Sequence, residues 1–590
     1  MMKIFQKAKT GETIFFLSLL LISMILTFQT HRKNGFFNWK SEIWADRAGY
    51  YIYLPSFFMY HFDARKCPEK IDEKTGYGFT IDYAKNTINT KYTYGVAALL
   101  SPFFIGAYVV SPVLKIPGEA GFSPVYHKMV NVAAVVYLIL GLWLLKRFLA
   151  YYFKSSLQYF ILFFIYAGTN LLFYTIDDTL MSHVYSFFLF ALFLLSLKKF
   201  HEDNSRYSYF LAMALSFAFS TLIRPTNAII LVLFFLWDVH DLKDIRQRIT
   251  VFVKPRYLVS FAAVVLCVFL PQMIYWKYSK GSFLSYSYVG ESFSNWNHPK
   301  LPEVWFSTLN GLFLYTPLVI LMIAGMIIMI VKNIPNGWLT LVLFFLISYI
   351  FSSWYNWYFG CSFGQRSFVE YYAIFAIPFG CFIENSSRIR NLLLRTLVLL
   401  LILVFSYYNV RMMLKFDKCF FGSTWDWGQF SRQLEKASIF SMYKKDHTFE
   451  NDLENQALSY PYVKSDSVFH SGMYSAEIFP DKEYTHVFAV PMKELGEKLP
   501  RYINFDFWAF NPGNLQNDAQ VVCSIDQGDT NLIWQAQPLA PVFLQKRLWQ
   551  KITSRFVIPD GLTRSPLIKL YLWNPKRSVF FVDDFKVTFE

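Results

Sequence analysis

Glu42-Ile43-Trp44-Ala45-Asp46-Arg47-Ala48-Gly49-Tyr50-Tyr51-Ile52-Tyr53-Leu54-Pro55 opens the long loop after the first apolar segment of the chain. The stretch sets an acid, Asp46, at the head of an aromatic run suited to lie on a membrane surface. Carboxylates kept at a bilayer edge are costly, and they tend to mark reaction or ion sites. Upstream, Lys3, Lys7 and Lys9 precede an apolar run from Thr13 to Thr27 that ends without a small-x-small cleavage site. That pattern predicts an uncleaved signal anchor.

Downstream, apolar runs long enough to span a bilayer, about 17–25 residues, recur up to about Val410 and then stop. Only 16% of the 590 residues are charged, against 54% hydrophobic and 20% aromatic. Soluble domains carry about 25% charge, so the composition is that of a membrane protein with a soluble tail. The net charge of +15 falls largely in short loops between apolar runs, where it reports topology rather than nucleic acid. Six cysteines without CxxC or regular spacing support neither a metal framework nor a disulfide framework. Cys267 and Cys381 sit in apolar runs as small core residues.

Loop charges set the sidedness. Lys146-Arg147, Lys198-Lys199, Lys243 to Arg256, Lys332 and Arg388 to Arg395 are expected inside. The loops Thr175–Met181, Arg224–Asn227, Lys277–Pro302 and Ser352–Arg366 are then outside, with the first loop. The run Tyr94–Leu114 would invert every later loop if it crossed. It holds Gly95, Pro102, Gly106 and Pro112, which suit a straight spanning helix poorly, so it is expected to be re-entrant or interfacial. The fold class predicted is a polytopic α-helical membrane protein of about eleven transmembrane helices plus an interfacial helix, carrying a C-terminal all-β sandwich.

The tail supplies the sandwich. Alternation at Phe581, Asp583, Phe585, Val587 and Phe589, and at Ile503, Phe505 and Phe507, has the period of strands. Turns are expected at Asn511-Pro512-Gly513, Gln527-Gly528-Asp529 and Pro559-Asp560-Gly561. The expected parts are a helical domain over 1–410, with an outer loop over 31–125, a linker over 411–450 and a β domain over 451–590. Val468-Phe469-His470-Ser471-Gly472-Met473-Tyr474-Ser475-Ala476-Glu477 and Val582-Asp583-Asp584-Phe585 resemble carbohydrate-binding jelly rolls.

Acids and bases converge on the outer side. Asp46 opens the first loop, and Asp177-Asp178 lies in the second, in Tyr174-Thr175-Ile176-Asp177-Asp178-Thr179-Leu180-Met181-Ser182-His183. A signal anchor, a long loop with an early acid, a kinked interfacial helix, two crossings and a short acidic loop follow one another. This order resembles the GT-C superfamily of membrane glycosyltransferases, in the branch of protein O-mannosyltransferases and lipid A aminoarabinose transferases, over about residues 10 to 400. The resemblance implies an inverting transfer of a sugar from a polyprenyl-phosphate donor to an extracytoplasmic glycan, lipid or protein acceptor. It also implies a place in a bacterial inner membrane, with the C-terminal domain periplasmic, and membrane lipids but no nucleic acid as partners.

The same resemblance assigns roles. Asp46 would be the catalytic carboxylate, taking the proton of an acceptor hydroxyl whose pKa is too high for unaided attack. A phosphate leaving group needs little protonation, so one base suffices, unlike the two carboxylates of hydrolases. Asp178 or Asp177 would orient the acceptor, or hold a divalent cation, Mg or Mn, with Asp46; metal dependence stays open. Arg224, at the outer end of an apolar helix, would meet the donor phosphate, since guanidinium pairs bidentately with phosphate. Arg366 and Lys91 are further phosphate candidates. Tyr50, Tyr51, His183, Trp357 and Glu291 are candidate substrate contacts, Trp357 within the aromatic Trp354–Arg366 loop and Glu291 within a polar loop suited to form a lid. Two other functions fit the same features: en bloc glycan transfer by an oligosaccharyltransferase, and flipping of lipid-linked sugars. A flippase is expected to carry internal repeats and charges on both sides, and the sequence shows no such repeat.

Overall fold

The structure is a computed structural model. It describes residues 2–589 apart from 33–36, 38–39, 115–119, 204–205, 289, 361, 417–426, 438–446, 455–462, 479–482, 496–499, 501, 514–518, 529, 540–546, 560–561, 563–565 and 576–577. The chain forms two compact units, a helical one comprising 1–36 and 40–416, and a second comprising 37–39 and 417–590. The expected turns at Gln527-Gly528-Asp529 and Pro559-Asp560-Gly561, and nearly half of the expected linker, reach outside the described residues.

Among the described residues, six helices are long and apolar enough to cross a membrane: Thr10–Thr30, Gly95–Val113, Pro124–Leu149, His183–Glu202, Pro255–Lys280 and Leu392–Leu414. Five apolar helices of 10–17 residues join them. This is the architecture of a multi-pass membrane protein. Local sequence sets the helix ends. Pro124 and Pro255 occupy first-turn positions where no N–H is missed, Asn391 caps the amide of Leu394, and Gly281 closes its helix at φ +79°.

Polar clusters mark one end of this unit. Lys146 lies 3.0 Å from Glu12. Asp238 takes Lys198 at 2.8 Å, the Tyr152 hydroxyl at 2.7 Å and the Asn336 amide at 2.6 Å. The first loop, Asp178, Arg224, Glu291 and Arg366 gather elsewhere, around the site described below. The loops thus group as charge alternation assigns them.

Helix Gly95–Leu114 keeps both ends with the second group. Thr93 Oγ1, just before it, donates to Leu222 O at 2.6 Å, two residues from Arg224. Near its far end, Ser111 Oγ lies 3.4 Å from Ser123 Oγ, at the head of Pro124–Leu149. Ser123 adjoins Gly121, whose carbonyl accepts the Tyr51 hydroxyl of the first loop. By length and composition the helix is among those able to cross a membrane.

In the first loop, strands β1 (Phe79–Asp82) and β2 (Thr87–Thr90) form an antiparallel hairpin. Tyr275 and Tyr278 of helix Pro255–Lys280 pin it: the Tyr275 hydroxyl meets Thr90 N at 3.0 Å and Ile88 O at 2.9 Å, and the Tyr278 hydroxyl donates to Asn86 O at 2.9 Å.

The second unit is a jelly-roll sandwich. Its strands are β3 (His447–Asn451), β4 (Val463–Ser465), β5 (Ser475–Ile478), β6 (Tyr484–Pro491), β7 (Tyr502–Phe510), β8 (Gln520–Gln527), β9 (Thr530–Pro538), β10 (Trp549–Val557), β11 (Leu567–Trp573) and β12 (Phe580–Phe589). One antiparallel sheet runs β10-β7-β12-β5-β4, with β3 also on β12, and the other runs β6-β11-β8-β9. Ile503, Phe505, Phe507, Phe585, Val587 and Phe589 are buried in the core, as the period-2 alternation requires. Asp583 and Asp584 close a loop instead of facing solvent. Asp583 Oδ2 accepts the amides of His470 and Ser471 at 2.8 and 3.2 Å, and His470 Nδ1 lies 2.6 Å from Asp584.

Candidate active site

Asp46 is the first residue of helix Asp46–Tyr51. Ala45 before it has φ +48° and ψ −126°, a costly backbone conformation for alanine. Two bonds hold it there: Ala45 N donates to Thr75 O at 2.8 Å, and Gly49 N donates to Ala45 O at 3.1 Å. The hairpin packs directly on this turn, and only glycine allows it. A Cβ on Gly78 would meet Ala45 O at 1.7 Å, and one on Gly49 would meet Gly78 O at 2.3 Å. Thr90 Oγ1 closes the contact by donating to Gly49 O at 3.0 Å.

No side chain caps this helix, so Asp46 is not engaged as a helix cap. Arg47 does not pair with its neighbour but with Asp178, at 3.0 Å. The Asp46 carboxylate lies 3.7 Å from Arg366 Nη2 and is 41% exposed. Burial by the surrounding protein pushes the carboxyl up, but Lys91, Arg366, the Tyr92 hydroxyl and Arg47 together hold it below the usual carboxylate range. Its partners respond in turn. Burial works against the Lys91 and Arg366 charges, but Asp46 together with Glu291 at Lys91, and with Tyr174, Tyr92 and Asp178 at Arg366, outweighs it, so both are raised and stay cationic. Burial first and Asp46 next push the Tyr92 phenol well above its ordinary value, so it faces Asp46 as a neutral donor.

Arg224 forms the second cationic position. Its Nη1 lies 3.2 Å from both Glu370 Oε1 and His183 Nδ1, and His183 Nδ1 is also 3.2 Å from Glu370 Oε2. Glu370 is fully buried, while the Arg224 side chain is 17% exposed. Among the described residues, only Nη1 of this guanidinium is engaged by a protein acceptor. Tyr50 and Tyr288 join the two cationic positions, each within electrostatic reach of both Asp46 and Arg224. Tyr50 also packs on Tyr92, with ring centroids 4.1 Å apart.

The remaining predicted residues take distinct places. Glu291 pairs with Lys91 at 2.8 Å and so reaches the site from the polar loop. Tyr51 turns its hydroxyl to Gly121 O and packs its ring against Phe104 and Phe122, within the scaffold beneath the site. Asp177 is the C-terminal cap of helix Leu171–Ile176. Trp357 rests against Tyr358 and accepts Gln365 Nε2 at its carbonyl, in the loop that delivers Arg366.

Two acids in the structure were given no role from sequence. Glu370 is one. The other is Glu42, four residues before Asp46 and 2% exposed. It lies 3.1 Å from His127 Nδ1 and 3.6 Å from His31 Nδ1, and accepts Asn131 Nδ2 at 2.7 Å. Asn131 Oδ1 in turn accepts Thr179 Oγ1 at 2.8 Å, beside Asp178. Burial raises the Glu42 carboxyl, but its bonds to the histidines outweigh that and hold it low.

The donor set does not fit a resident divalent cation. Asp46 faces Lys91 and Arg366, Asp178 is bound by Arg47, and no group of three or more His, Cys, Asp or Glu suited to a metal occurs among the described residues.

Several solved structures are similar to this chain at low identity. Oligosaccharyltransferase AglB from Archaeoglobus fulgidus matches at 13% identity and TM-score 0.38, covering 68% of this chain and 55% of that one. Arabinosyltransferase EmbB from Mycobacterium smegmatis matches at 8% identity and TM-score 0.34, covering 97% of this chain and 64% of that one. The CBM22-2 xylan-binding domain of Xyn10C from Paenibacillus barcinonensis matches at 15% identity and TM-score 0.20, covering 24% of this chain and 99% of that one. No protein-family model and no curated protein matches the sequence.

Proposed function

We propose that the chain is an inverting glycosyltransferase of the outer face of a bacterial inner membrane, moving a sugar from a polyprenyl-phosphate donor to an extracytoplasmic acceptor. One observation carries the reading: an open carboxylate kept ionised by fixed cations, with a second, partly engaged guanidinium in the same neighbourhood. In this reading Asp46 takes the acceptor hydroxyl's proton as that oxygen bonds to the anomeric carbon. The bond from that carbon to the lipid phosphate breaks, and its electron pair leaves with the phosphate. Arg224 and Arg366 meet the phosphate charge as it develops, where prearranged cations lower the barrier most. Arg47 fixes Asp178 beside the acceptor path, and Glu370 with His183 fixes the Arg224 fork.

The test is carrier turnover by the purified full chain in lipid, over a panel of polyprenyl-phosphate sugars. Wild type is expected to release polyprenyl phosphate from at least one donor, and Asp46→Asn to lose that release. Equal turnover in both removes Asp46 from the mechanism. Movement of an intact lipid-sugar across the bilayer without cleavage replaces the transferase with a flippase.

A further inference from the structure

Asp46 forms one wall of a cleft of about 320 Å³ whose other walls include the β1–β2 hairpin, Lys91, Lys280 and Ser287. Ligand sites of this kind start at about 300 Å³, which is room for a short saccharide. Thr80, Asn89, Thr90 and Ser287 give the cleft a polar lining.

The charges are uneven. Lys91 already answers Glu291 and Asp46. Lys280, at the end of its helix, is exposed and forms no ion pair among the described residues. Tyr77 on the lining is 43% exposed and offers a flat face to the C–H side of a sugar ring.

We propose that this cleft is the acceptor subsite and that it takes a saccharide carrying an acidic substituent. The proposal rests on the transferase reading of Asp46. The sugar ring lies against Tyr77, while the acidic group meets Lys280. The hydroxyl facing Asp46 gives up its proton there, and its oxygen forms the new glycosidic bond.

The probes are trigalacturonic acid and maltotriose, an acidic and a neutral trisaccharide, titrated against the full chain in nanodiscs. Wild type is expected to bind the acidic probe at least tenfold more tightly. Lys280→Glu is expected to abolish that preference, Lys280→Arg to keep it, and Tyr77→Ala to weaken both probes. Equal binding of the two probes by wild type, or an acidic preference unchanged in Lys280→Glu, overturns the proposal. Donor cleavage is scored separately. A protein that binds the acidic probe through Lys280 but cleaves no lipid donor supports the cleft as a saccharide site and sinks the transferase. One that cleaves donor without any acidic preference sinks the acceptor assignment alone.

Discussion

Glu42 and Asp46 stand four residues apart in one stretch, and the protein treats them in opposite ways. Glu42 is sealed, 2% exposed, and its oxygens are taken by His31, His127 and Asn131. Asp46 is 41% exposed, and its neighbours Arg366 and Lys91 act on it as charges across a gap that a substrate can enter. Both carboxyls are held low, for different purposes. Around Glu42, hydrogen bonds consume the acceptor capacity and tie the first loop to helix Pro124–Leu149 and the Asp178 loop. Around Asp46, the cations and the Tyr92 hydroxyl keep the charge, while the exposed side of the carboxylate stays open to receive a proton. A low carboxyl does not by itself mark chemistry; exposure and unspent acceptor capacity do.

The largest contrast is expected from neutralising each acid. Asp46→Asn removes the base but keeps its shape, so turnover is expected to fall about 10²- to 10⁴-fold, the range for general-base catalysis, with the thermal midpoint unmoved. Glu42→Gln is expected to do the reverse. It turns an amide toward buried donors, at a cost of about 3 kcal/mol, as when one partner of a buried pair is removed. That loss appears as a lower thermal midpoint, with turnover per folded molecule nearly kept. Stability from Glu42 is present above the unfolded carboxyl's value near 4.5 and is lost as the pH falls through the lower folded value. Equal thermal midpoints for wild type and Glu42→Gln would erase the distinction.

A smaller effect sharpens the comparison at Arg224. Its Nη1 is committed to Glu370, as Glu42 is to its histidines, while its remaining nitrogens have no such acceptor among the described residues, as with Asp46. Arg224→Lys keeps the charge but not the fork. The expected result is about a tenfold rise in donor KM, about 1.4 kcal/mol of binding, with kcat changed less. Glu370→Gln is expected to raise donor KM in the same direction, because the guanidinium loses its anchor. An unchanged donor KM in both variants would separate Arg224 from the phosphate.

Much of this was legible in the sequence, and for a physical reason. Charge alternation between apolar runs fixes which loops share a side, so Asp46, Asp178, Arg224, Glu291 and Arg366 could be gathered without any motif. The proline and glycine content of Tyr94–Leu114 pointed to an interfacial helix, whereas the structure holds one long and apolar enough to cross a membrane. What stayed hidden depends on pairings across long separations. Glu370 meets Arg224 146 residues away, and no spacing reports that. Its only signal was a carboxylate between Phe368-Val369 and Tyr371-Tyr372, a costly place for a charge. Glu42 lay in the deciding stretch, but its role needs His31, just past the first helix, and His127 from helix Pro124–Leu149. Tyr51 carries the opposite lesson: adjacent to Tyr50, it points into the scaffold, because neighbouring helical positions do not share a face.

The subtlest expected effect lies in the pH profile. Lys91 is the strongest of the charges that lower the Asp46 carboxyl, ahead of Arg366 and the Tyr92 hydroxyl. In the wild type the base is therefore ionised down to below the usual carboxylate range, and turnover is lost only as the pH falls through that depressed value. Lys91→Gln removes the leading charge while burial continues to push upward, so the acid limb is expected to move to higher pH. Glu291→Gln is expected to move it the other way by less, because Lys91 then loses its competing partner and its charge bears more fully on Asp46. The two shifts have opposite signs, whereas mere loosening of the polar loop would move both variants alike. An acid limb that stays in place in Lys91→Gln would mean that the field around Asp46 does not set its charge, and the contrast with Glu42 would then reduce to exposure alone.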